Sequence, residues 1–325
     1  MPAPLLLVTG ATGMVGRHVV ERAITAGYRV RALAREGSDR SGFPSDIEWH
    51  AGDLERPETL PSAFDGVELV VHAAAKVGDW GPLDEYRKIN VLALEHLATA
   101  ARHTGQVRRW VQISSLGVYP ARDHFGTDET AAIDLEGLDG YTRSKAEAEE
   151  LLHRHIAEGL PGVILRPGFI YGRGDRHVLP RLAERIRGGK MKLIGDGAKL
   201  MNNTYVGNLV DAIFLALEKP DIVGQTFNIR DGRLVSKAEF VGAIVAHLGA
   251  KPVGRVPPGI ARVLAGLFEG VAKLLGSRQA PLLTKARYKF LGLNLDFSIT
   301  KAERLLGYRP AVDFRDGMRI SLEEV

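Results

Sequence analysis

The 325-residue sequence predicts an α/β fold, a doubly wound parallel sheet with helices on both faces. Three observations lead there. Short apolar runs of strand length alternate with helical stretches, the first run ends in a glycine-rich turn that opens a helix, and 45% hydrophobic composition can fill a large core. In order, "PLLLV" (4–8) is the first strand, breaking at Thr9-Gly10, and residues 14–26 carry helical spacing. "RVRAL" (29–33), "IEW" (47–49), "ELVVH" (68–72), "RRWVQIS" (108–114) and "GVILR" (162–166) read as strands. Helices are expected between them at 57–63, 83–103 and 141–158. "NNTYVGNLVDAIFLAL" (202–217) and "QTFNI" (225–229) read as a later return to the sheet. Residues 1–170, with returns near 203–230, are therefore assigned to the sheet domain, and 171–325 to a smaller, discontinuous C-terminal lobe. A ligand in such a sheet binds at the carboxyl ends of the strands.

Composition removes several function classes. Cysteine is absent, so there is no disulfide framework and no thiolate metal site, and no His/Asp/Glu cluster has metal spacing. The apolar start "MPAPLLLVTG" is too short for a signal peptide, which makes a cytoplasmic protein the expectation. Net charge is only +4, and no nucleic-acid module is present. The positive excess is local: Arg173, Arg176, Arg181, Arg185, Arg187, Lys190, Lys192 and Lys199 face only three acids in residues 173–199. They form either a solvated face or an anion-binding rim.

The turn "VTGATGMVGRHVV" (8–20) carries the first chemistry. Gly10, Gly13 and Gly16 recur every third residue between a strand and a helix. Glycines there let backbone amides approach a pyrophosphate, which the helix N-terminus stabilises. Thr12, Met14 and Val15 belong to the same turn and helix start, and the whole makes a Rossmann-type dinucleotide site.

"TGATGMVG", "GDL" (52–54), "HAAA" (72–75), "QISSLGVY" (112–119), "YTRSK" (141–145) and "RPGFIYG" (166–172) stand in the order seen in extended short-chain dehydrogenases/reductases, and the chain resembles that superfamily over essentially its whole length. "AAKVGDWGPLDEYRKINV" (74–91) and "TYVGNLVDAIFLA" (204–216) look most like its branch of 3β-hydroxysteroid dehydrogenases, sterol-4-carboxylate dehydrogenases and 2-alkyl-3-oxoalkanoate reductases. It departs at "NVLAL" (90–94), where Ala93 and Leu94 replace a Gly-Thr pair common in the family.

The resemblance assigns roles. Tyr141 and Lys145, four apart on a helix, share a face and reach one site. Tyr141 exchanges a proton with the substrate oxygen, and Lys145 binds the nicotinamide ribose. A phenol titrates near pH ~10, and the neighbouring ammonium, with the charge of the oxidised nicotinamide, is expected to bring that value down. Ser115, four before the tyrosine of "VY", holds the substrate oxygen; Ser114 is expected to satisfy backbone groups, and Tyr119 to pack. Asp53 and Leu54 match the adenine contact, and Ala73, Ala74 and Ala75 let the chain pass close to the cofactor. Pro167 and Gly168 match the turn beside the nicotinamide amide. His72 reads as structural, Asn90 as a holder of backbone, and Arg173 and His177 as the start of the substrate half.

Alignment of "GYRVRALAREG" (27–37) puts Ala34 at the position of the usual ribose-binding acid, followed by Arg35. That favours NADP(H), with NAD(H) left open by Glu36. In "PPGIARVLAGLFEGVAKLLG" (257–276), Ile260, Val263, Leu264, Leu267, Phe268, Val271, Leu274 and Leu275 make an apolar helical stripe interrupted by charges, so the segment does not span a membrane. It is expected to line or lid an apolar substrate cleft, or to touch a membrane surface. The functional expectation is an NAD(P)-dependent oxidoreductase for an alcohol or ketone of a hydrophobic substrate, steroid-like or long-chain 3-oxo, working as a homodimer. A nucleotide-sugar epimerase/dehydratase with tightly bound NAD is the alternative, and a non-catalytic nucleotide sensor is disfavoured by the intact Ser115, Tyr141 and Lys145.

Overall fold

Leu5–Thr9 (β1), Arg29–Ala34 (β2), Ile47–Ala51 (β3), Leu69–His72 (β4) and Arg109–Ile113 (β5) join Gly162–Pro167 and Thr226–Ile229 in one seven-stranded sheet. Its order is Thr226–Ile229, Gly162–Pro167, β5, β4, β1, β2, β3, and every neighbouring pair is parallel. The structure, a computed structural model, describes residues 3–176 and 178–325. His177 lies outside the described residues.

The apolar runs form strands because both sheet faces are covered. Successive side chains of β1 alternate sides. Leu5 and Leu7 enter one core with Leu97, Leu151 and Leu152, while Leu6 and Val8 enter the other with Val19, Leu209 and Ile213. A strand dry on both faces has no polar side to show, hence the unbroken "LLLV". Strand order reverses between β1 and β4, so their connections diverge and leave a crevice at the carboxyl ends. This is the doubly wound sheet that the sequence predicts.

Two expected helices differ. Residues 57–63 form two short 3₁₀ turns, Pro57–Thr59 and Pro61–Phe64, because each proline starts a turn but cannot donate the hydrogen bond that would continue one. The stretch 83–103 is helical but passes through a π-helical turn at Lys88–Leu92. That wider turn carries Asn90, which accepts from the Lys76 N–H at 2.8 Å and donates to the Lys76 carbonyl at 3.0 Å. At the departure from the family pattern, Ala93 and Leu94 are both fully buried.

The later chain returns to the sheet and then builds a second core. Asn203–Tyr205 pairs with Phe169–Tyr171, and the helix Val206–Glu218 packs Leu209, Ile213 and Phe214 with Val19 and Val20 of the helix Met14–Thr25. A separate apolar cluster, including Tyr171, Ile186, Met201, Phe240 and Phe314, forms the centre of the smaller lobe.

Beneath the carboxyl ends of the last three strands lies a buried polar chain. Arg166, on Gly162–Pro167, donates through Nε and Nη2 to both oxygens of Glu149, on the helix Gly140–Ala157. Its Nη1 donates to the Tyr119 hydroxyl at 2.7 Å, which donates on to Asn228 Oδ1 at 2.9 Å. Burial works against the guanidinium's charge, but the Glu149 contacts outweigh it and hold its pKa above the ordinary range. Removing one partner strands the other charge. Arg166→Met should therefore lower unfolding stability by about 3–5 kcal/mol, and Arg166→Met/Glu149→Leu should recover most of that loss. Urea titrations measure it; a single variant within about 1 kcal/mol of wild type would remove the pair from its structural role.

Candidate active site

The glycine turn is built by close approach. Gly10 has φ +70, and a Cβ there would lie 2.7 Å from the Ala74 nitrogen. A Cβ on Gly16 would lie 2.2 Å from the Gly10 carbonyl oxygen, so the turn rests directly on the helix it opens. Gly13 caps the helix Met14–Thr25, whose first turn has no acidic residue to neutralise its positive end. The Thr9 hydroxyl accepts from the Ala74 N–H at 3.3 Å and contacts His72 Nδ1 at 2.7 Å, fixing the facing loop. Burial, with the charge of Lys145, pushes His72 down to about 3. It is a neutral, structural histidine.

These elements border a cavity of about 740 Å³. Gly10, Thr12, Gly13, Arg35, Asp53, Leu54, Ala73, Ala74 and Ala75 all line it, as the sequence leads one to expect. Gly16 lies beneath the turn, and the Met14 and Val15 side chains pack on the lobe core, which leaves only their backbone for a ligand. Pro167 ends its strand, and Gly168 donates its N–H to the Ile229 carbonyl and the Thr204 hydroxyl, both at 3.0 Å. A Cβ on Gly168 would collide with the Asn202 carbonyl oxygen at 1.7 Å. Beside it, the buried Asn202 Oδ1 has no hydrogen-bond partner among the described residues. A glycine cradle, a helix N-terminus with no side-chain cap and an open acceptor near Gly168 fit a nicotinamide dinucleotide.

Sequence reading missed Ser38, Lys76 and Lys88, which also line the cavity. Lys76 pairs with Glu85 at 2.7 Å and Lys88 with Glu55 at 2.9 Å, so two ion pairs flank its mouth. The lysines adjoin "HAAA" and precede "IN", a positional signal; Ser38 sits in an irregular turn after β2 and carries none.

Ser115, Tyr141 and Lys145 are brought together. Asp139 caps the helix Gly140–Ala157, accepting from the Thr142 N–H at 2.7 Å in a capping box, and so fixes the first turn where Tyr141 sits. Ser115 follows β5; its hydroxyl accepts from the Gly117 N–H at 3.0 Å and lies near enough to the Tyr141 hydroxyl to act against the upward shift of that phenol. Lys145 is buried and donates from Nζ to the Ile113 carbonyl at 2.8 Å.

The electrostatics correct one expectation. The protein's own groups do not bring Tyr141 down: burial pushes its phenol up to about 12, with Ser115 acting against the shift and the Asp139 charge adding to it, so any lowering falls to the nicotinamide's charge. Tyr141 keeps some surface accessible, but its hydroxyl is enclosed. Burial likewise pushes Lys145 down to about 8, with the Glu149 charge partly restoring it. In both groups burial is the largest cause, and it favours the neutral form.

Ser114 also differs. Its hydroxyl donates to Glu149 Oε1 at 2.5 Å and joins the buried chain instead of satisfying backbone. Tyr119 is fully buried and packs on Phe297, as expected. A contributor without a sequence signal is Lys289 of the lobe, whose ammonium donates to the Gly117 and Tyr119 carbonyls at 2.9 and 2.6 Å and clamps the loop after Ser115. The basic segment 173–199 does not converge on an anion rim: Arg173 pairs with Glu324, Lys199 with Asp123, and Arg187 donates to the Val325 carbonyl.

The sheet, turn and Ser-Tyr-Lys group define a nicotinamide-dependent oxidoreductase of the extended short-chain type. The chain belongs to the NAD dependent epimerase/dehydratase family, whose model matches residues 6–229. It is 31% identical to the 2-alkyl-3-oxoalkanoate reductase of Shewanella oneidensis, covering 96% of this chain and 84% of that protein. It is 32% identical to a decarboxylating sterol-4-alpha-carboxylate 3-dehydrogenase of Candida albicans, over 98% and 96%. Among solved structures it is similar to MoeE5 in complex with UDP-glucose and NAD, with TM-score 0.76, 26% identity and coverage of 98% and 97%.

Gly16→Ala tests the cradle. Its Cβ must displace the Gly10 carbonyl, so nicotinamide dinucleotide affinity should fall at least about tenfold, or about 1.4 kcal/mol. Calorimetric titration with the dinucleotide reads this; unchanged affinity in a folded variant would place the ligand elsewhere.

Proposed function

We propose that the protein interconverts a ketone and an alcohol on a hydrophobic substrate with NADP(H), Tyr141 exchanging the proton. The observation that carries this reading is the grouping of Ser115, Tyr141 and Lys145, with Ser115 acting on the Tyr141 phenol and the Lys145 ammonium bound to the last residue of β5, in the same sheet whose first four strands end at the dinucleotide cavity. The two relatives are named for an alkyl oxoalkanoate and a sterol carboxylate, both large apolar skeletons bearing an oxygen function. Both names support such a substrate here.

When bound, the nicotinamide supplies or accepts the hydride. The chain's own residues handle the oxygen. In reduction, the Tyr141 phenol donates its proton to the oxygen that gains charge, and the Ser115 hydroxyl hydrogen-bonds the same oxygen. A phenol held near 12 is fully protonated at neutral pH and ready for that donation. Lys145 stabilises the phenolate left behind only while it is protonated. Its pKa lies near 8, so its charge is present below that pH and lost above it.

Arg35 supports NADP(H). It is exposed and lines the cavity at the end of β2, whereas the neighbouring Glu36 is not among the lining residues. A guanidinium there would meet the 2′-phosphate in a charge-assisted hydrogen bond.

These roles have three measurable consequences. Tyr141→Phe should lower the rate of ketone reduction by about 10²- to 10⁴-fold with little change in cofactor affinity, and wild-type kcat/KM should fall above about pH 8 as Lys145 loses its proton. A variant retaining over half its activity where chemistry limits the rate would remove Tyr141 from proton transfer. Arg35→Ala should weaken NADPH binding by roughly 1.5–3 kcal/mol and leave NADH nearly unchanged. Equal losses for both cofactors would contradict the 2′-phosphate contact, and one NAD retained through purification would instead favour the epimerase/dehydratase alternative.

A further inference from the structure

The helix Pro258–Leu274 turns the wrong side outward for a globular protein. Its buried positions include Ala261, Ala265 and Ala272, while Ile260, Val263, Leu267, Val271 and Leu274 are exposed, Val263 at 70% and Leu274 at 86%. Leu264 and Phe268 are only partly covered. The stripe therefore does not pack as core, and of its two expected roles, a cleft lining and contact with a membrane surface, this exposure favours the second. Leu275 and Leu282 extend it, so seven of the thirteen large exposed apolar residues among those described fall within 260–282. Gly259, Gly266 and Gly270 share this outer side, and a Cβ on any of them would meet nothing within 4 Å. The face is open along the whole helix.

Its charge decides what covers it. Residues 251–290 hold eight Lys and Arg residues and a single acid, Glu269. That acid is buried and already bonded to Lys273 and to the Lys285 N–H. Lys251, Arg255, Arg262 and Arg278 make no ion pair with a described residue. On the helical wheel Gly259, Gly266 and Gly270 lie between the stripe and Arg262 and Lys273, which puts the two cations on the flank of the helix beside its open face. A second copy seated on this face would bring two uncompensated basic sets together, which disfavours self-association here. No described helix is long and apolar enough to cross a membrane.

We propose that this face docks in the plane of an anionic lipid surface, the stripe entering the headgroup boundary and the flanking cations meeting acidic headgroups. The helix's C-terminal end leads to Ser277, whose carbonyl accepts from Trp80 Nε1 at 2.9 Å on the loop that follows Ala75. Docking would therefore set the loop beside the cofactor cavity close to the lipid. The proposal rests on exposure and charge, and does not depend on the activity assigned above.

Vesicle co-sedimentation tests it, using the full chain with phosphatidylcholine vesicles and with vesicles that also contain phosphatidylglycerol. Wild type should sediment with the anionic vesicles and be released by salt. Val263→Ser/Leu267→Ser/Leu274→Ser should reduce binding on the order of a hundredfold, since three apolar side chains no longer enter the boundary. Arg262→Gln/Arg278→Gln should reduce it roughly thirtyfold, about 1 kcal/mol being attached to each of the two cations. The serine variant should remain folded and melt within a few degrees of wild type, because the three positions are mostly exposed. Absence of wild-type binding, equal binding to neutral vesicles, or dissociation of a wild-type dimer by the serine substitutions in light scattering would each overturn the proposal, the last by identifying a second copy as the occupant.

Discussion

The bidentate contact between Arg166 and Glu149 is the interaction on which the site depends. It joins the strand Gly162–Pro167 to the helix Gly140–Ala157, and through Tyr119 and Asn228 it reaches the edge strand Thr226–Ile229. Ser114 donates to the same carboxylate, so the backbone that presents Ser115 is tied to the helix that presents Tyr141 and Lys145. Neither charge could be buried alone. Both partners supply donors or acceptors to the rest of the chain, and the geometry of three functional side chains is thereby fixed from below. The same carboxylate also favours the charged form of Lys145 one turn away.

Burial then sets the chemical character of the group. Desolvation favours neutral forms, pushing Tyr141 up to about 12, Lys145 down to about 8 and His72 down to about 3. The consequences differ. A neutral His72 is inert and holds Thr9, while a neutral phenol is a proton donor awaiting an acceptor. Lys145 alone is left close enough to neutrality for its charge to respond to ordinary pH.

Much of this was legible in the sequence, for identifiable reasons. Strands dry on both faces must be apolar throughout, so "LLLV" and its successors stood out. The glycines were visible because only glycine tolerates the approach of Ala74 to Gly10 and of the Gly10 carbonyl to Gly16. Tyr141 and Lys145 were recognisable by helical spacing. Spacing reports direction along an element, not what that element meets. It could not show that Ser114 meets Glu149, or that Lys289, 172 positions from Gly117, clamps the catalytic loop. Nor does periodicity distinguish a stripe facing core from one facing solvent, which is why Ile260 to Leu274 read as a cleft lining. The direction of the Tyr141 shift required knowing how deeply its hydroxyl is buried, which spacing does not report.

The central claim is that this arrangement moves a hydride to a substrate carbon and a proton from Tyr141 to its oxygen. Incubation of the purified protein with 4-deuterated NADPH and a long-chain 3-oxo substrate, followed by mass spectrometry of the product, tests it most directly. The account predicts one deuterium on the carbinol carbon and consumption of one cofactor per alcohol formed. Deuterium that stays with the cofactor while the substrate is unreduced or merely epimerised would contradict it.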